Sequence, residues 1–170
     1  PLGIEGGIVQ MISHGFVSGA MFLSIGVLYD RMHTRQIADY GGVIHRMPVF
    51  AAFAVLLAMA NCGLPATSGF VGEFMVILAA LDYDFTIGLL ASTTLILSAA
   101  YSLWMVKRVF FGAITNAHVE ELKDLNGREY FMMSVLSICI IGMGVYPKPF
   151  TDIIHPAVIN LLQHVAVSKL

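Results

Sequence analysis

Four long apolar stretches separated by short charged loops leave this chain of 170 residues few ways to fold in water. A bilayer core about 30 Å thick takes about 20 residues of helix to cross. The stretch 8–29 holds no acid or base except His14 and stops at Asp30-Arg31; 85–106 and 130–147 are of similar length. The stretch 49–81 is different. As one straight helix it would run about 50 Å at 1.5 Å per residue, too long for a single crossing. Its interior reads Asn61-Cys62-Gly63-Leu64-Pro65-Ala66-Thr67-Ser68-Gly69. Pro65 has no amide hydrogen to give and its ring clashes with the carbonyl four residues back, that of Asn61. We read two half-helices joined by an unwound segment near 61–68, with Gly63, Pro65 and Gly69 marking the break.

Composition supports a membrane chain: 58% of the residues are hydrophobic and only 12% charged, against about 25% charged in a soluble domain. Beyond Pro149, Ile153, Ile154, Val158, Leu161, Leu162 and Val165 recur at helical spacing, which predicts a short amphipathic helix lying at the interface. The expected fold is thus one all-α integral membrane domain over residues 1–170, with four transmembrane helices, the second discontinuous, and a short C-terminal interfacial helix. The chain opens at Pro1 with no basic leader or cleavage site, and reads as a piece of something longer.

Basic residues fix the expected orientation, because loops on the cytoplasmic side of a membrane are enriched in them. Arg31, Arg35 and Arg46 follow the first span, and Lys107, Arg108, Lys123 and Arg128 follow the third; only Lys148 and Lys169 fall on the opposite side. Both chain ends are therefore expected outside. A net charge of −2 offers no broad cationic face for nucleic acid. Cys62 and Cys139 sit in apolar runs without the spacing of a disulfide framework or zinc site. The sequence carries no nucleotide-cradling glycine loop, no cysteine pattern for haem or an iron–sulfur cluster, and no nucleophile beside a base.

An ionisable side chain inside hydrocarbon costs about 2.5–3.5 kcal/mol on insertion scales, so such groups are scarce and face the bundle interior. Two stand within the spans: His14, in Ser13-His14-Gly15, and Glu73, in the half-helix after the break. An imidazole loads and unloads protons near neutral pH, and a carboxyl balanced between burial and nearby polar groups does the same. The plain alternatives are a neutral histidine satisfied by neighbouring hydroxyls and a carboxylate clasping the unwound backbone. Irregular backbone at membrane depth is tolerated where it is buried in protein or lines a hydrated cavity, and transporter sites are built at such breaks. Asn61, Thr67, Ser68, Ser98 and Tyr101 are candidates to line a wet path, with Lys107 at the membrane edge as a further proton carrier. The pair Gly15 and Gly19 reads as a site of close helix packing; Ser92, Thr93, Thr94, Ser98, Tyr101 and Ser102 put hydroxyls along the third span that could line such a path but also bond their own helix, the favoured role.

The segments Gly3-Ile4-Glu5-Gly6-Gly7, Ser13-His14-Gly15, His33-Thr34-Arg35, Gly41-Gly42, Gly63-Leu64-Pro65, Phe70-Val71-Gly72-Glu73-Phe74 and Phe111-Gly112 together resemble the antiporter-like M subunits of proton-translocating NADH:quinone oxidoreductases. Their mitochondrial counterparts are called subunit 4. The resemblance runs the length of the chain, is most specific over Asn61–Phe74, and in its wording looks proteobacterial. It implies that the four spans are the last four helices of the full subunit, with the broken span matching a discontinuous helix. By the same resemblance Glu73 matches the exit-side proton group and His14 a histidine of the central hydrophilic axis. NADH, FMN, iron–sulfur clusters and quinone would belong to other subunits, and this chain would bind no cofactor. The implied partners are the other membrane subunits, notably the antiporter-like L and N, which carry lysine in place of Glu73, and membrane lipid. The implied location is the bacterial cytoplasmic membrane, or alternatively the mitochondrial inner membrane. The family's entrance glutamate and central lysines lie on earlier helices that are absent here. Rival readings are a subunit of a multi-subunit sodium/proton antiporter of the same superfamily and a membrane scaffold.

Overall fold

The structure, a computed structural model, describes residues 1–167; Lys169, which entered the charge argument, lies outside them. Seven α-helices and two short 3-10 turns make up the fold, with no strand among the described residues: α1 (Leu2–Met32), α2 (Pro48–Asn61), α3 (Ser68–Tyr83), α4 (Phe85–Val109), α5 (Ala117–Glu120), α6 (Gly127–Val145) and α7 (Lys148–Val167). Three of them, α1, α4 and α6, are long and apolar enough to cross a membrane, and α2 is a shorter apolar helix. The long apolar stretch after Val49 is two helices, α2 of 14 and α3 of 16 residues, and neither alone has the length of a crossing.

α1 is longer than the apolar run that announced it, starting six residues earlier at Leu2. Two of its glycines, Gly3 and Gly6, are packed against α3. A Cβ on Gly6 would stand 2.7 Å from the Met75 Cβ, and one on Gly3 would stand 3.1 Å from that of Ala79. Further along α1, Gln10 meets Gly72 and Ser13 meets Ser68. These pairings run in opposite chain directions, so α3 lies antiparallel along the first half of α1. The second half of α1 packs against α2, through a core that joins Val17, Ala20, Val27 and Leu28 to Phe50, Ala51, Ala54 and Leu57. Gly15 and Gly19 have nothing within 4 Å of an added Cβ; close approach is carried instead by Gly6, Gly69, Gly72 and Gly144.

The two basic loops meet at one end of the bundle. Arg31 donates to both carboxylate oxygens of Glu129, at 3.0 and 2.8 Å, and to the backbone oxygens of Lys123 and Asp124. Gly42 and Ile44 donate their amides to the carbonyls of Phe111 and Phe110. The Tyr40 hydroxyl donates to the Thr34 carbonyl at 2.7 Å. Burial, with Asp39 beside it, pushes that phenol above its usual range, so it stays a donor at physiological pH.

The C-terminal helix spans 20 residues and is not short. It contains Pro156 and buries Val158, while Ile153 is 78% exposed and Leu161 52%. His155 on α7, its side chain 57% exposed, contacts the buried Glu5 carboxylate at 2.7 Å.

Candidate functional site

The break between α2 and α3 is a helix stop followed by a restart. Gly63 takes φ +73°, and the amides of Gly63 and Leu64 bond to the carbonyls of Ala60 and Met59. That is the Schellman pattern, which closes a helix on a left-handed residue and is favoured by glycine. The helix has therefore already ended before Pro65, and the proline ring meets no helical carbonyl. The Asn61 carbonyl, which a continuous helix would have brought against Pro65, accepts instead from the Ser98 hydroxyl on α4 at 3.0 Å. Thr67 closes the following turn, its amide and hydroxyl both donating to the Leu64 carbonyl, and α3 begins at Ser68. Gly69 lies directly against the Ala60 carbonyl, where a side chain would collide. The carbonyl end of α2 and the amide end of α3 thus meet here, bringing opposite helix-dipole charges to one place.

A cavity of about 440 Å³ opens beside this joint. α1 contributes Gln10, Ser13 and His14; Asn61 comes from the end of α2, Gly69 and Glu73 from α3, and Ser98 and Tyr101 from α4. Glu73 is half-buried, and its Oε1 accepts from the Gln10 amide nitrogen at 3.2 Å. Its Oε2 is buried with no protein donor in reach among the described residues, and lies against Gly63. The Asn61 side-chain amide donates to the Tyr101 hydroxyl at 3.3 Å and to Ser102 at 3.2 Å, and Ser98 also reaches Tyr101. This is a carboxyl and an imidazole bordering one cavity, with two amides and four hydroxyls, those of Ser13, Thr94, Ser98 and Tyr101, beside them, and such groups can hold water and pass protons.

Of the residues singled out from the sequence, His14, Asn61, Gly69, Glu73, Thr94, Ser98 and Tyr101 line this cavity. Thr67 and Ser68 are buried in the joint itself, Ser68 accepting from Ser13 at 2.8 Å, and neither borders the cavity. Gly63 forms the turn beneath the carboxyl, whereas Pro65 is exposed. Lys107 is exposed on the last turn of α4 and does not reach the site. Ser92, Thr93 and Thr94 bond carbonyls of their own helix at 2.6–2.8 Å. Sequence reasoning missed Gln10. Its signal was its position one turn before His14, which puts the two on neighbouring ground of α1.

Over residues 2–99 the chain matches the family model described as NADH:quinone oxidoreductase/Mrp antiporter, transmembrane. It is 47% identical over 162 residues to NADH-quinone oxidoreductase subunit M of Rhodobacter capsulatus, an alignment covering 95% of this chain and 32% of that protein. It is 44% identical to NADH-ubiquinone oxidoreductase chain 4 of Arabidopsis thaliana, with 95% and 33% covered. Among solved structures, it superposes with a TM-score of 0.86 and 35% identity on a chain of respiratory complex I from Thermus thermophilus with bound NADH, covering 92% of this chain and 32% of that one. A chain of the membrane-bound sulfane sulfur reductase, an archaeal respiratory membrane complex, matches with a TM-score of 0.79 and 26% identity, over 86% and 24%. The chain spans about a third of the length of the curated relatives it matches.

Proposed function

This chain belongs to the NADH:quinone oxidoreductase/Mrp antiporter transmembrane family, and from that premise we propose that it forms the outer part of a proton path in a membrane subunit of NADH:quinone oxidoreductase. The supporting observation is the cavity at the α2–α3 joint, which Glu73 and His14 both border. A proton handed over by groups on the subunit's other helices passes to His14, crosses the polar space beside Asn61, Ser98 and Tyr101, reaches Glu73 and leaves on the outer side. Moving one charge against 100 mV costs about 2.3 kcal/mol, so leakage must be blocked by charged groups gating the route. Electron transfer from NADH to quinone, with its FMN and iron–sulfur centres, belongs to other subunits in this reading. The partners are neighbouring membrane subunits, the antiporter-like L and N among them, and the location is a bacterial cytoplasmic membrane.

Glu73→Gln in the complete enzyme, reconstituted in vesicles, is expected to cut proton pumping and, with tight coupling, to slow quinone reduction. Unchanged pumping rate and stoichiometry would remove Glu73 from the mechanism. The family description also covers Mrp antiporters, which favours a sodium/proton exchange subunit as the second reading. Co-purification with NADH-oxidising subunits separates the two.

A further inference from the structure

We propose that Gln10 is a positioning residue that selects which oxygen of Glu73 carries the transferred proton, so that it is taken up on the oxygen facing the helix break and not on the one facing α1. This deepens the reading of Glu73 as a proton-transfer group and rests on it. A carboxyl offers two oxygens, and their surroundings here are unequal. Oε1 accepts from the Gln10 Nε2 at 3.2 Å. Oε2 is buried without a protein donor among the described residues. It faces Gly63 so closely that a Cβ on that glycine would stand 2.5 Å from it.

An amide nitrogen only donates. While Gln10 holds Oε1 as an acceptor, that oxygen keeps the carbonyl role, and a proton added to the carboxyl sits on Oε2. The other end of the Gln10 amide, Oε1, is buried with no hydrogen-bond partner among the described residues. That oxygen rests on Gly72, where a Cβ would stand 2.6 Å from Gln10 Oε1 and 2.7 Å from Gln10 Cα. If the amide turned over while the carboxyl is ionised, its oxygen would face Glu73 Oε1, acceptor against acceptor. Two glycines thus frame one carboxyl: Gly72 lets Gln10 come close enough to donate, and Gly63 leaves room for the oxygen that carries the proton. Because the Gln10 side is taken by a donor, Oε2, on the side of the joint, is the oxygen left to receive the proton arriving past Asn61, Ser98 and Tyr101.

The test uses the intact complex in proteoliposomes, with infrared difference spectra and proton pumping measured on Gln10→Met, Gln10→Asn and Glu73→Gln. The carbonyl stretch of protonated Glu73 is identified as the band lost in Glu73→Gln. In Gln10→Met, which keeps the volume but cannot donate, the band moves to higher frequency because its acceptor bond is gone. Pumping falls roughly tenfold, as expected for one lost charge-assisted hydrogen bond, and its pH profile is displaced. NADH oxidation with an artificial acceptor is unchanged, since assembly is intact. Gln10→Asn withdraws the donor by one methylene and gives the same band shift should the methionine variant fail to assemble. An unmoved band together with an unmoved pH profile in these variants overturns the proposal. If Glu73→Gln itself pumps normally, the reading of Glu73 fails instead, and the infrared result on Gln10 tells the two failures apart.

Discussion

Gly63 performs two tasks that no other residue type combines. Its φ of +73° closes α2, and its missing side chain admits the Glu73 carboxyl. Gly63→Ala is expected to cost about 1–2 kcal/mol for the left-handed backbone alone, and to push the carboxyl aside. Thermal unfolding of the complex and a pumping assay read the two effects separately, pumping falling further than the stability loss explains. Ala66, three residues on, also takes φ +73° but has a Cβ. Ala66→Gly removes that penalty, so about 1 kcal/mol of added stability is expected, with pumping unchanged. A lower melting temperature for this variant would contradict the strain. The glycine stop at Gly63 was legible in the sequence as a break. The alanine was not, because nothing local marks a non-glycine residue forced into that region.

A helix whose first turn has no local cap must find one elsewhere, and α2 finds it 75 residues away. Met47 at its N-cap position offers no side-chain bond. The Asp124 carboxylate, from the loop before α6, accepts from the amides of Val49 and Phe50 at 2.9 and 3.1 Å. Asp124→Ala is expected to cost about 1 kcal/mol and to raise amide hydrogen exchange at Val49 and Phe50 while leaving α6 protected. Equal exchange in both helices would argue against a capping role. α6 caps itself: Asn126 and Glu129 exchange side-chain and backbone bonds in a capping box that the local sequence encodes. The α2 cap had no such signal, since the partner lies in another loop and only the tertiary approach supplies it.

At the scale of the molecule, the basic end is pinned by Arg31. Its guanidinium joins the end of α1 to the first turn of α6 through Glu129 and holds the backbone of the intervening loop. Both partners are largely buried, with side-chain exposures of 17% and 8%. Removing one member of a buried pair leaves the other uncompensated, a loss of about 3–5 kcal/mol. Arg31→Met is therefore expected to lower the melting temperature strongly, whereas the pair in the parent is little weakened by salt. A variant of parental stability would show that the loops hold together without this pair. The opposite end is joined differently, with α7 attached to α1 through His155 and Glu5.

Apolar length and spacing by themselves determined the all-helical membrane class and the interruption of the second stretch, because hydrocarbon leaves a chain few options and glycine and proline punctuate locally. They also brought forward Glu73 and His14, since charge within an apolar run is rare for energetic reasons. What only the tertiary structure decided is which polar groups meet. Gln10 reaches Glu73 because Gly72 lets α1 and α3 touch, Ser98 takes up the Asn61 carbonyl across to α4, and Thr67 and Ser68 turn into the joint instead of the cavity. Such pairings depend on the relative rotation and height of helices far apart in sequence, and hydrophobic periodicity fixes neither to the precision of a hydrogen bond.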